Sequence, residues 1–217
     1  MTGVRLPRVL RDGDDDAAVD VLQEYFTRRV VKTGYLRPGA LWDTWDPSGR
    51  RAADRDTFTS DDLVAVTLLS VQVPAQGAVA LLGEAAPALS ALLADVGPDR
   101  DLADEDAALT EDAPIVRLET ALREVHGIGR ITASKLIARK RPRLYPVYDD
   151  VIGRELWVRA EYLEPLRRAL REDDRALHRR LTDLRDRAGL GDTVPALRVL
   201  EVLAWMQGKK YVPRTAG

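Results

Sequence analysis

The chain of 217 residues contains no cysteine. That excludes disulfides, thiolate zinc sites and cysteine-held iron–sulfur clusters. Histidine is almost as scarce, with only His126 and His178, so a histidine-rich metal site is not expected. Aromatics make up 6% of the chain. No stretch approaches the roughly 20 apolar residues that cross a bilayer, and MTGVRLPRVLRDGDDD has no apolar signal core. The expectations are therefore a cytoplasmic protein with no membrane contact, no metal and no cofactor. Internal repeats of 20–50 residues are also lacking.

What is present is an ordinary globular balance of 45% hydrophobic and 31% charged residues, with a formal net charge of -2. Arginine far outnumbers lysine, a bias that fits a high-GC genome. The length suffices for a full core, as one domain or two small lobes.

Helical periodicity dominates. Asp14 to Val31 reads as a helix with acidic residues at its positive end and a stripe of Val19, Leu22, Tyr25, Phe26 and Val30. Lys32 to Thr57 reads as a long polar connection, rich in Gly, Pro, Trp and Asp, of the kind that is functional or mobile. Thr59-Ser60-Asp61-Asp62 resembles a helix start. The run LVAVTLLSVQV after it reads as a central buried helix, with a strand as the alternative. Short helices follow at Gln76–Gly83 and Pro87–Asp95, then an acidic, solvated linker from Gly97 to Asp112. Further helices are expected at Ala113–Glu124, from about Arg130, at Val151–Val158, Leu163–Ala188 and Ala196–Met206, the last opened by Pro195. The predicted fold is all-α with roughly eight to ten helices. Residues 1–13 form an N-terminal tail, 14–210 a single helical domain and 211–217 a C-terminal tail.

The most informative stretch is VHGIGRITASKLIARKRPRLYPVYDD, Val125 to Asp150. No acidic residue lies between Glu124 and Asp149, while Arg130, Lys135, Arg139, Lys140, Arg141 and Arg143 accumulate. Gly127 and Gly129 permit close backbone approach, and Ile128 is the apolar pin between two helices. Free amides at the start of the second helix, at about Arg130, form a place for a phosphate oxygen. The basic run then reads either as a polyanion-binding face or as a solvated one. Asp149 and Asp150 read as a helix cap and first-turn acid, or as a carboxylate placed for chemistry. Tyr145, Tyr148, Trp42 and Trp45 are candidates for stacking on a base or for packing inside. His178 and the Arg167-Arg168 and Arg179-Arg180 pairs read as a charged solvated face.

GIGRITASKLIARK resembles the helix-hairpin-helix element of the Gly/Pro-Asp superfamily of DNA-repair glycosylases. In that superfamily the hairpin is followed by a helix, a proline-containing loop and an essential aspartate. The loop here holds Pro142 and Pro146, and Asp149 lies 22 residues after Gly127. Ile152 matches the apolar residue that packs the next helix. The match spans about Ala113 to Trp157. Segments such as FTSDDLVAVTLLSV also resemble uncharacterised proteins of high-GC bacteria.

The resemblance implies a glycosylase-like helical fold with the helix-hairpin-helix at about 113–140. It implies double-stranded DNA as partner, contacted through phosphates by Gly127, Ile128, Gly129, Arg130, Thr132, Lys135, Arg139, Lys140, Arg141 and Arg143. It implies Asp149, with Asp150 as alternative, as the carboxylate facing an extruded nucleotide in monofunctional hydrolysis of an N-glycosidic bond. Ile131 stands where the lyase branch has its Schiff-base lysine, which argues against lyase chemistry, and Val151 replaces a common histidine or asparagine. A non-catalytic DNA-binding module and a protein-interaction domain remain open as alternatives. The oligomeric state is not readable from the residues.

Overall fold

The computed structural model describes residues 3–158 and 162–211. Among them the chain forms ten α-helices, three short 3-10 turns and no strand. The helices are α1 (Arg8–Arg11), α2 (Asp15–Phe26), α3 (Ser60–Ala65), α4 (Ala75–Leu82), α5 (Ala86–Val96), α6 (Pro114–Glu124), α7 (Arg130–Lys140), α8 (Asp150–Glu155), α9 (Leu163–Arg187) and α10 (Ala196–Gly208). Residues 212–217 of the expected C-terminal tail lie outside the described residues. No single described helix is long and apolar enough to cross a membrane.

The chain divides into two compact units. Unit 1 comprises Met1–Asp43, Asp101–Asp106 and Asp149–Gly217, and unit 2 comprises Thr44–Arg100 and Ala107–Tyr148.

Unit 1 is built on α10, which packs on α2, α8 and α9. Apolar residues nearly all round α10, among them Leu197, Leu200, Leu203 and Met206, make it the buried helix that its composition implies. Asp14 caps α2 by accepting from the Ala17 amide at 2.9 Å. The guanidinium of Arg198 is buried in this core. It donates to the Tyr25 hydroxyl at 2.9 Å and the Gly39 carbonyl at 3.0 Å, and faces Asp43 at 3.3 Å. Burial opposes that charge, but Tyr25, Asp43 and Glu201 outweigh it and hold the Arg198 pKa above its usual value.

Several expectations change in this unit. The N-terminal tail contains α1, whose Leu10 is buried and whose Leu10 carbonyl accepts from Arg180 at 2.7 Å. The acidic linker contains a 3-10 turn, Leu102–Asp104, with Leu102 and Ala103 buried. It is gripped by α9, where Arg167 donates to the Glu105 carbonyl at 2.7 Å and Arg171 to the Ala103 carbonyl at 2.9 Å. The arginines of α9 thus include structural ligands, not only a solvated face. Helix α9 is also broken, with non-helical geometry from Glu172 to Arg175.

In unit 2, α5 packs on α4 and α6, and α7 packs on α6 and α3. Leu89, Leu93, Leu118, Leu122 and Leu136 are buried there. The run after Thr59 is not one long buried helix. Helix α3 ends at Ala65, a 3-10 turn covers Val66–Leu69, and Ser70 adopts φ 61. The Thr67 hydroxyl donates to the Val64 carbonyl at 2.6 Å, a local bond that competes with helical continuation. Val64 is exposed, so the run is apolar in composition without being buried on all sides.

Candidate nucleic-acid interface

Helices α6 and α7 form the predicted hairpin. The α6 stripe of Ile115, Leu118 and Leu122 is buried, and α6 ends where Val125 takes an extended conformation. The Val125 amide donates to the Leu122 carbonyl and the Ile128 amide to the Val125 carbonyl, closing a compact turn. Ile128 is 3% exposed and pins the turn into unit 2.

Gly127 has φ +78, and a Cβ built on it would meet the Pro74 Cγ at 2.8 Å. Glycine is therefore required there twice over, by conformation and by space. Gly77 of α4 supports the same turn, because its Cβ position lies 3.0 Å from the His126 carbonyl oxygen. The sequence signal for this buttress is an isolated glycine in an apolar helix just after a proline.

Gly129 differs. It has φ -86 and ψ 176, and nothing approaches its Cβ position within 4 Å. It is the N-cap of α7 and provides no side-chain cap. The first intrahelical bond runs from the Ala133 amide to the Gly129 carbonyl at 2.9 Å. The amides of Arg130, Ile131 and Thr132 precede it and have no intrahelical acceptor. His126, Gly127 and Gly129 are exposed, Arg130 and Ile131 are half-buried, and the Thr132 side chain is buried. The Arg130 guanidinium lies 6.0 Å above the Tyr148 ring.

Most of the basic run is buried, neither a solvated face nor an exposed one. Lys135, Arg139, Lys140 and Arg141 are 3%, 1%, 6% and 1% exposed. Lys135 donates to the Leu69 carbonyl at 2.9 Å. Arg139 donates to the Trp45 carbonyl, and its Nε lies 3.4 Å from Asp62 Oδ1. Lys140 donates to the Asp54 carbonyl at 3.0 Å. Arg141 donates to the carbonyls of Gly97, Arg55 and Leu93 and pairs with Asp56. These four cations point into unit 2: Lys135 holds Leu69, and Arg139, Lys140 and Arg141 hold the 44–58 connection to α7. Buried and bonded to protein oxygens, they present no exposed face to a polyanion. Arg143 is half-buried, and its amide donates to Asp99 at 3.0 Å.

Burial sets the electrostatics of this cluster. It pushes the Arg139 pKa down to about 10, aided by the neighbouring Arg51 and countered by Asp62. Burial likewise lowers Lys140, again against the pull of Asp62. Asp62 is the residue that the reading of the hairpin missed. Its carboxylate also accepts from the Thr59 amide at 2.8 Å and the Thr59 hydroxyl at 3.1 Å, forming a capping box for α3.

The aromatic candidates divide. Trp42 is 1% exposed and belongs to the core of unit 1. Tyr145 is fully buried in unit 2 and donates its hydroxyl to Glu119 at 2.7 Å. Neither is placed to stack on a base. Trp45 and Tyr148 are half-buried. The Tyr148 amide donates to Ser134 Oγ at 3.1 Å, which ties the end of the loop back to α7.

Asp149 opens unit 1 again and is the N-cap of α8. Its Oδ1 accepts from the amides of Val151 at 2.9 Å and Ile152 at 2.8 Å. Asp150 is exposed in the first turn. Hairpin and aspartate thus belong to different units, joined by the short segment after α7. Among the described residues no group of three or more His, Cys, Asp or Glu is set to hold a metal ion.

No curated protein and no solved structure matches the chain significantly. One family model matches residues 18–208, which is most of the chain. The protein therefore belongs to the family of unknown function DUF6308.

Proposed function

We propose that this protein is a non-catalytic nucleic-acid-binding module that holds a phosphate at the Val125–Gly129 hairpin. The observation that carries the reading is the uncapped, open start of α7 at Gly129, beside an exposed glycine turn. Three successive amides at a helix N-terminus are suited to one phosphate oxygen. Arg130 supplies the nearby positive charge.

The burial of Lys135, Arg139, Lys140 and Arg141 limits the footprint to about one or two phosphates. Binding is therefore weak and sequence-independent. Anisotropy of a fluorescent duplex, titrated with protein at low salt, tests the reading. Binding that weakens severalfold in Gly129→Val supports it, and no binding by wild type at low salt overturns it.

A second reading is monofunctional base excision, and it rests on Asp149. The 22-residue spacing from Gly127 is supported by the position of this carboxylate at a helix start. A carboxylate there would stabilise positive charge on the sugar as the glycosidic bond breaks. Duplexes carrying a panel of damaged bases decide the matter: equal base release by wild type and Asp149→Asn rules out the role, as does no release at all.

A further inference from the structure

A cleft of about 680 Å³ lies wholly within unit 1, between the end of α2, the turn after it and the end of α10. Its volume is that of a drug-sized ligand site. Val21 and Met206 form a buried apolar floor, and Val30, Val31 and Tyr211 extend it toward water. Val31 is 99% exposed and Tyr211 41%. The turn carrying Val31 is held in shape, because the Val30 amide donates to the Tyr35 carbonyl at 2.8 Å and Arg29 to the Gly34 carbonyl at 2.9 Å.

The charges of the lining do not balance. Among the described lining residues, Arg28, Arg29, Lys32 and Arg37 face the carboxylates of Asp20 and Glu24. Glu24 accepts from Arg37 at 2.9 Å and lies 3.6 Å from Arg28, while Asp20 lies 3.5 Å from Arg28. The two carboxylates are thus committed to Arg28 and Arg37, leaving Arg29 and Lys32 as the surplus. Arg37 is buried and stacks 4.8 Å over the Tyr211 ring, which fixes that aromatic wall. A neighbouring cleft of about 460 Å³ shares Val21 and Tyr211. Its charges cancel, with Arg8 and Lys210 against Asp12 and Asp14. Of these two clefts, the larger carries the charge excess.

We propose that the larger cleft binds an anionic amphipathic small molecule. An apolar body lies against Val30, Val31, Met206 and Tyr211, and a single carboxylate, sulfonate or phosphate reaches Arg29 and Lys32. The test uses two dyes on the full chain: 8-anilinonaphthalene-1-sulfonate and its uncharged counterpart N-phenyl-1-naphthylamine. The sulfonate dye is expected to give a saturable fluorescence rise with one site per chain, and the neutral dye to bind at least tenfold more weakly. Lys32→Glu, which leaves the Arg29–Gly34 bond of the turn in place, is expected to weaken the sulfonate dye severalfold and leave the neutral dye unchanged. Val30→Trp, which fills the cleft, is expected to abolish both; should it not fold, Val31→Trp serves the same purpose. Equal affinity for the two dyes, or indifference to the charge reversal, overturns the anion assignment. Sulfonate-dye binding that survives a folded cleft-filling variant, or no binding by wild type, overturns the site.

Discussion

Lys140 Nζ lies 2.5 Å from Asp62 Oδ2, and both side chains are 2% exposed. With Arg139 on the other carboxylate oxygen, Asp62 is the shared counter-charge of two buried cations. Removing one partner of a buried pair leaves an uncompensated charge, at a cost of about 3–5 kcal/mol. Asp62→Asn is expected to destabilise the protein by that amount, and more than Asp62's contribution as a cap alone, which is about 1 kcal/mol. Urea denaturation of the two proteins measures the difference.

The same pair gives a pH dependence with a definite sign. The folded Lys140 pKa is lowered from 10.5, chiefly by burial. The unfolded chain therefore binds more protons just below 10.5, and stability attributable to Lys140 rises as pH climbs through that window. Denaturation midpoints between pH 8 and 10.5 are expected to rise less in Lys140→Met than in wild type. Parallel profiles would show that the lysine is not desolvated.

The hairpin glycines separate stability from binding. Gly127→Ala places a Cβ 2.8 Å from Pro74 and forces a left-handed alanine, so a loss of about 1–3 kcal/mol is expected. Gly129→Ala meets no neighbour within 4 Å and has a negative φ. Its stability is expected to fall by at most about 1 kcal/mol, the preference for glycine over alanine at an N-cap. Under the proposed function its added methyl group still obstructs the approach of a phosphate, so duplex affinity falls severalfold while the protein stays folded. A Gly129→Ala protein that binds duplex as wild type does would remove the hairpin from the interface.

Salt dependence distinguishes a hairpin grip from a broad basic face. Each neutralised phosphate contributes about -0.9 to the slope of log K against log salt. A grip on one or two phosphates is expected to give a slope of about -1 to -2. Lys135→Ala is expected to leave that slope unchanged and instead to lower stability by about 1–3 kcal/mol, because the Leu69 carbonyl loses a buried donor. A slope near -5 would mean that the buried cations are released on binding.

Most of the helical frame was legible from periodicity and punctuation. Pro195 and the acidic residues at Asp14–Asp16 mark helix starts that the structure places within a residue or two. The glycines of the hairpin were legible because their need is local. The direction of the basic run was not, because its partners are remote in sequence. Lys140 meets Asp62 and the Asp54 carbonyl, and Arg141 meets Asp56 and the Leu93 carbonyl. A stretch without acids is consistent both with a surface for polyanions and with cations whose acids come from elsewhere. The acidic residues of the loop, Asp46, Asp54 and Asp56, were the available hint of the second. The long Lys32–Thr57 connection was likewise unreadable, since its two halves are anchored separately: Gly39 and Asp43 by Arg198 in unit 1, Trp45 and Asp54 by Arg139 and Lys140 in unit 2.

Asp149 permits the capping and catalytic roles to be measured apart. Its Oδ1 satisfies two amides at the start of α8, so Asp149→Ala is expected to cost about 1 kcal/mol. Asparagine presents an equivalent acceptor at an N-cap, and Asp149→Asn is expected to remain within a few tenths of a kcal/mol of wild type. Asparagine carries no negative charge, however, and cannot stabilise a cationic sugar or activate water. Stability and base release therefore respond differently to the same pair of variants. If Asp149 only caps, thermal midpoints follow the order wild type, Asn, Ala, and none of the three proteins releases a base. If it acts chemically, Asp149→Asn keeps the midpoint while losing about 10²-fold or more of the release rate. A midpoint for Asp149→Asn as low as that for Asp149→Ala would show that the Oδ1 geometry at α8 is not the source of the stabilisation.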